Sequence, residues 1–330
     1  NQIGGKHMTS FDKQYAELLQ HILSNGVSNE GKDVRTVWKD GEPAYTKAVW
    51  GHLFRFTPED GFPILRRKFV NPLSFSSEIL WIMQKASNVV QDARDLGSNV
   101  WNEWEKADGT ILKAYGYQIR NNTYRTYVKD ISEKSFIAMG KTLNGAIGEM
   151  NYNSRLDVFD REYVDLQQMD YVIHQLIDNP YSRQTITSIW NPKDTHEMAL
   201  PPCVFTSHWE IMADDKLYLS VHARSSDVFL GLPFNVSQYA LLHRLIAQVV
   251  GREIGDFVFT MDDAHLYDRH IEQAMAFLRR DEPDAPEFWI DESVTSFQAF
   301  EYGTHFGWKN YTDDIYLPLP APIAVGRGEL

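Results

Sequence analysis

A single cysteine, Cys203, occurs in 330 residues. One thiol cannot close an internal disulfide, which excludes the stapled scaffolds of oxidising compartments. No apolar run is long enough to span a bilayer and no secretory leader is visible, so a cytoplasmic protein is expected. Positive charge is also short: 32 Lys and Arg stand against 45 Asp and Glu, a net −13. That balance argues against nucleic acid as the main partner, because phosphate backbones call for clustered cations. It leaves room for a small anionic substrate, which needs only a few local arginines. Internal repeats, low-complexity tracts and a Pro/Gly/Ser linker are all missing, so one domain over 8–330 is expected. Residues 1–7 of "NQIGGKHM" read as a leftover of cloning ahead of Met8.

What is present is enough apolar material for a sizeable core, 43% hydrophobic and 13% aromatic residues. "FDKQYAELLQHILSNG" has helical spacing, with Tyr15, Leu18, Leu19 and Ile22 on one face and Gly26 as a stop. Residues 28–46 read as a loop, and "AVWGHLFRF" alternates like a strand. "SSEILWIMQKASNVVQDARDLG" reads as one helix capped by Ser76 or Ser77. "DYVIHQLIDNP" is a short helix closed at Asn179-Pro180. "CVFTSHWEIM" and "KLYLSVHAR" read as two strands joined at 213–215. "SQYALLHRLIAQVVGREIG" reads as a long amphipathic helix capped by Ser237. Strands and helices mix without a strict βαβ rhythm, which favours an α+β domain, a mixed sheet with packed helices.

By residue type alone, a lone cysteine is most often a small buried hydrophobe. Thiolate chemistry needs cationic neighbours, and "HARSSD" (Arg224) and "YSRQ" (Arg183) offer them. The next stretch, "RSSDVFLGLPFNVSQYALL", gathers an Arg, two Ser, an Asp, a Gly-Leu-Pro turn and an Asn ahead of a helix. With "MALPPC" before it, this resembles the signature region of the thymidylate synthase family. "DGFPILRRK", "SEILW", "NVWNEW", "AYGYQ", "SRQTITSIWNP", "GDFVF", "DAHLY" and "APIAV" follow the family order over nearly the whole chain. The "DVRTVWKDGEPAYT" loop and Val204 after the cysteine look most like the synthases of Bacillus and its phages.

The resemblance implies a single α+β domain in a homodimer paired through its sheet. It implies dUMP as substrate and 5,10-methylenetetrahydrofolate as co-substrate, with no metal. Cys203 becomes the nucleophile that adds to C6 of uracil and makes C5 reactive, a covalent strategy that splits one hard step in two. Arg35, Arg183, Arg224 and Ser225 match the phosphate-binding residues, with Arg183 arriving from the other subunit. Asn235 matches the residue that reads the uracil edge, since one amide both donates and accepts. His265 and Tyr267 match the pair on the ribose hydroxyl. Glu78 matches the proton relay to O4, and Tyr115 the tyrosine that helps remove the C5 proton. Asp227, Trp101, Lys68 and Gly231 match the folate side.

Several positions depart from the family pattern. Gln184 replaces a second arginine, His208 a glutamine, Asp262 a glycine and Asn71 a histidine. "GRGEL" continues past Val325, where the family's closing carboxylate would stand, so 326–330 reads as an extension. If the site closes less tightly, water can capture the one-carbon unit on C5 before hydride does. With Asp262 and His208 as candidate water-positioning groups, the departures favour the family's phage branch of dUMP hydroxymethylases. A thymidylate synthase is the alternative, and a silent nucleotide-binding homologue a further one.

Overall fold

The computed structural model describes residues 10–142, 152–281, 283–315 and 325–326. The expected remnant at 1–7 and residues 327–330 of the expected extension lie outside them. The helices are α1 (Ser10–Asn25), α2 (Pro72–Ile79), α3 (Val90–Asp95), α4 (Gly116–Asn121), α5 (Glu133–Met139), α6 (Gln168–Asp178), α7 (Gly231–Val250) and α8 (Ile271–Arg279). The strands are β1 (Val27–Ser28), β2 (Thr36–Val37), β3 (Thr46–Phe56), β4 (Tyr124–Tyr127), β5 (Arg155–Leu156), β6 (Glu162–Leu166), β7 (Ile186–Ser188), β8 (Val204–Ile211), β9 (Leu217–Asp227), β10 (Ile254–Tyr267), β11 (Glu287–Ile290), β12 (Phe306–Lys309) and β13 (Val325–Gly326). The main sheet runs β1-β3-β10-β9-β8-β7. Its β9–β10 pair is parallel and the others antiparallel, so the fold is the mixed α+β type expected.

Periodicity located most elements. Tyr15, Leu18, Leu19 and Ile22 of α1 are fully buried, and α1 packs on β3. Two expectations are corrected. First, α7 begins at Gly231, six residues before Ser237, and Pro233 is tolerated in its first turn. Ser237 is no cap: its buried hydroxyl donates to Pro63 O at 2.9 Å. Second, the expected helix from Ser76 to Gly97 is two helices. Asn71 caps α2, accepting from Ser74 N–H, with Pro72 at the first helical position. A π turn over Leu80–Gln84 and a left-handed Ala86 (φ 48°) then break the run before α3. Ser76 and Ser77 are buried inside α2.

One feature of the sheet positions the site. In β9, Leu217, Leu219, Val221 and Ala223 face the core, and then Ser226 does. In β10, Phe257, Phe259 and Met261 do so, then Ala264 and Leu266. In β8, Ile211, Trp209 and Ser207 face the core, then Val204, across a bulge between Val204 and Thr206. Three neighbouring strands thus change parity at the same level, because an extra residue hands the next side chain to the other face. Beyond that level, the ends of β9 and β10 and the start of β8 present polar side chains: Asp227, His265 and Tyr267, and Cys203.

Candidate active site

Cys203 is half-buried just ahead of β8. Arg224, on the neighbouring strand, holds the turn before it. Its Nε donates to Pro202 O and its Nη2 to Pro201 O, both at 3.0 Å, and its backbone N–H donates to Cys203 O at 2.9 Å. The Cys203 N–H in turn donates to the Tyr115 hydroxyl at 3.4 Å. Burial pushes the thiol above its ordinary value, and Asp227 adds to that push. Arg224 and Arg35 oppose it. The cations expected from sequence included Arg224; Arg35, from a distant loop, is the second one that reaches the sulfur's surroundings.

Tyr115 sits at φ 45°, ψ −103°, a region that costs a non-glycine residue about 1–3 kcal/mol. The following Gly116 leaves no room for a Cβ against the backbone of Ser87, so close packing fixes the turn. The Tyr115 ring meets Trp101 edge-on at 4.9 Å.

Behind this pair runs a hydrogen-bonded chain. Asn235 Nδ2 donates to Gln238 Oε1 (3.1 Å), Gln238 Nε2 to Glu78 Oε2 (2.7 Å), and Trp101 Nε1 to Glu78 Oε1 (2.9 Å). Burial raises Glu78 to about 7, with the Trp101 and Gln238 bonds resisting. Glu78 therefore changes protonation near neutral pH, as a proton relay must. Asn235 keeps Oδ1 and a second Nδ2 hydrogen for a ligand.

Of the remaining residues, Arg35, Asp227 and Tyr267 interact electrostatically with Cys203. Arg35 is exposed, next to β2; fully buried Trp38 anchors that loop, its Nε1 donating to Asp268 Oδ1 at 3.2 Å. β2 also pairs with β13, Val37 opposite Val325 and Thr36 opposite Gly326. His265 Nδ1 lies 2.7 Å from Asp263 Oδ1. Burial and Asp227 push Tyr267 up to about 12. Ser225 stands one residue from Arg224 on β9, opposite Asp263. Asp227 Oδ1 accepts from Phe229 and Leu230 N–H (3.0 and 3.1 Å). Gly231 lies between Asp227 and Asn235: a Cβ there would stand 4.0 Å from each. Lys68 is buried with its Nζ 5.0 Å from the Phe229 ring, and burial lowers it to about 8 against the pull of Asp227.

Three candidates stand apart from this cluster. Arg183 is exposed on the turn between α6 and β7. Asp262 accepts from His222 Nε2 at 2.8 Å, a residue on the outer face of β9. His208 lies between Ile186 and Ser220 on that same face, five residues along the strand from Cys203, or about 16 Å. None of the three is among the charged groups acting on the thiol. The sequence reading missed Gln238 and Asp263. Gln238 stands one helical turn beyond Asn235, a spacing that could have revealed it.

The thymidylate synthase family model matches residues 13–324. Thymidylate synthases of Bacillus subtilis subsp. natto and of Bacillus phage phi3T are each 40% identical over 294 residues, 89% of this chain and 92% of theirs. The solved structure of thermostable thymidylate synthase A from Bacillus subtilis superposes with a TM-score of 0.78 at 38% identity, covering 96% of this chain and 99% of that one. Fold and relatives together define an enzyme of the one-carbon transferase class. More narrowly, the chain belongs to the thymidylate synthase family.

Proposed function

We propose that this enzyme methylates dUMP, using 5,10-methylenetetrahydrofolate as the source of both the carbon and the hydride, and releases dTMP and dihydrofolate. The observation that carries this reading is the chain Asn235–Gln238–Glu78–Trp101 ending beside the Tyr115–Cys203 contact. Asn235 offers one donor and one acceptor to the O4/N3–H edge of uracil. Arg35, Arg224 and Ser225 take the phosphate through charge-assisted bonds. His265 and Tyr267 hold the ribose hydroxyl, and Asp227, Gly231, Lys68 and Trp101 receive the folate.

The Cys203 sulfur, once deprotonated, forms a bond to C6, and the ring electrons move towards O4, where Glu78 supplies a proton. C5 then accepts the one-carbon unit. Tyr115 helps take the C5 proton, and the electrons left behind expel the folate nitrogen, so that the carbon stays on C5 as an exocyclic methylene. Hydride from the released tetrahydrofolate adds to that methylene to complete the methyl group, and the ring electrons then expel sulfur from C6 with its bonding pair, leaving dihydrofolate.

The likeness to thymidylate synthases supports this methyl product over the hydroxymethyl product that the sequence departures favour. Asp262 is engaged by His222 and His208 faces the outer side of the sheet, so neither is set to aim water at C5. Incubation with dUMP and methylenetetrahydrofolate decides the product. A methyl nucleotide with an equimolar rise of dihydrofolate absorbance is expected. A hydroxymethyl nucleotide without that rise would overturn the reading, and no product at all would favour a silent homologue.

The functional unit we propose is a homodimer joined through the main sheet. One row across its outer face reads Leu53, Thr260, His222 and Thr206, and the next Arg55, Val258, Ser220, His208 and Ile186. Leu53 and Ile186 are exposed, and His208 Nε2 is buried without a partner. A sheet face that sets Leu53, Val258 and Ile186 among hydroxyl, imidazole and guanidinium groups fits a self-complementary twofold contact, which would also carry Arg183 to the other subunit's phosphate site. Sedimentation at micromolar concentration should give a dimer, and a Leu53→Lys, Ile186→Lys double variant a monomer of low activity. A fully active wild-type monomer would sink the idea.

A further inference from the structure

The small sheet β4-β6-β5 lies apart from the thiol cluster and has no part in the reaction above. One of its faces is core: Thr126, Val164 and Leu166 are buried. On the other, Arg125 stands opposite Asp165, Tyr127 opposite Tyr163, and Tyr163 opposite Arg155. The side chains alternate in two short stacks. The Arg125 guanidinium lies 4.0 Å from the centre of the Tyr163 ring and that of Arg155 5.2 Å. The Arg161 guanidinium lies 4.5 Å from the Tyr127 ring and 5.2 Å from that of Phe159. Between them opens a cavity of about 480 Å³, within the usual range for small-ligand pockets.

Two observations bear on the ligand this cavity would take. The hairpin tip holding its rim is apolar, with Val158 91% and Phe159 73% exposed. It is also pinned: the Asp157 carboxylate accepts from the N–H groups of Phe159 and Arg161 and from Arg161 Nε, at 2.8 to 3.0 Å. A rigid turn that holds an aromatic ring in water leaves unused the roughly 1.5–3 kcal/mol that burying the ring would return. The second observation is unspent hydrogen-bonding capacity. Arg125 bonds Asp165 through Nε only, Arg155 bonds the same carboxylate through Nη2, and Arg161 reaches Asp157 through Nε and Nη2. Three guanidinium nitrogens of the cavity's lining have no protein partner among the described residues: both Nη of Arg125 and Nη1 of Arg161. Two cations, Arg125 and Arg161, and one carboxylate, Asp157, line the cavity itself, while Asp160 and Glu162 flank Arg161 along the hairpin.

We infer that this cavity is a second binding site, for a planar aromatic ring bearing a phosphate, that is, a free nucleoside monophosphate. The ring would stack on Phe159 beside Tyr127, and the phosphate would collect the open guanidinium N–H groups, whose planar forks match its oxygens. Site and reaction are separate, so a failure of the thiol mechanism leaves this inference standing.

The test is calorimetric titration of the full chain with AMP, at low and at physiological salt. Wild type should bind one AMP per chain. An Arg125→Ala, Arg161→Ala double variant should weaken binding about tenfold or more, and the exposed Phe159→Ser about fivefold. Adenosine, lacking phosphate, should bind at least about tenfold more weakly than AMP. Turnover of dUMP by these variants should match wild type, which also shows that they are folded. Equal AMP affinity in all variants, or no saturable binding at millimolar AMP, would overturn the inference. Oligothymidylate bound far more tightly than AMP would also overturn it, in favour of a nucleic-acid surface.

Discussion

Cys203→Ala should abolish methyl transfer, a loss of about four orders of magnitude or more, because covalent addition at C6 has no substitute nucleophile within reach. Among the described residues the site contains no other thiol, and Tyr115, the nearest hydroxyl, is pushed well above its ordinary value by burial and by the thiol itself. Two further readouts separate a chemical from a structural defect. The variant should keep its affinity for dUMP within a few fold, since Arg35, Arg224 and Asn235 are untouched. It should form no adduct with 5-fluoro-dUMP and methylenetetrahydrofolate, whereas wild type should gain the mass of both in denaturing mass spectrometry. Stability should change little, because the thiol makes no hydrogen bond through sulfur and its burial opposes ionisation. Residual methyl transfer within about a hundredfold of wild type would remove Cys203 from the mechanism.

Glu78→Gln has the second largest expected effect. The carboxyl is held at about 7, mainly by burial, so at neutral pH it can both give and take a proton. Glutamine can do neither, and kcat should fall by about 10²–10⁴. The same raised value makes a stability prediction of definite sign. A carboxyl whose folded-state value exceeds its unfolded one binds more protons when folded. Its contribution is complete below about 4.5 and is lost as pH rises through about 7. Glutamine does not titrate, so the variant should gain on wild type by something on the order of 3 kcal/mol between pH 4 and pH 8. Urea unfolding of both proteins at the two pH values checks this. A difference that does not move with pH would mean that Glu78 is not held in the buried, uncharged setting described here.

Much of the site was legible because its residues stand in short runs that strands and helices carry intact. "RSSD" is the end of β9 followed directly by the Phe229–Gly231 entry into α7, so Arg224, Ser225, Asp227, Gly231 and Asn235 converge through local geometry. The reading went astray where local signals competed with packing. Ser237 looks like a cap and is a buried hydroxyl bonded to Pro63, because the apolar face of α7 continues one and a half turns further back. Ser76 looked like another, yet Asn71-Pro72 starts the helix, and the break near Ala86 comes from a π turn that periodicity does not announce.

Composition and pattern determined an α+β chain whose single thiol can close no internal disulfide, and the resemblance of its motifs to the thymidylate synthase family singled out the residues expected to do chemistry. They could not say which way those residues face. Asp262 and His208 stand where the family pattern has a glycine and a glutamine, and those departures suggest a water-positioning role. Strand parity sends His208 to the outer face, and the His222 bond claims Asp262. Conversely, Glu78, Trp101, Gln238 and Asn235 are spread over 161 positions of chain yet form one hydrogen-bonded line. Side-chain identity is set residue by residue. Orientation, burial and the proton affinities that follow from them depend on what the folded chain packs against each group, and only tertiary structure decides that.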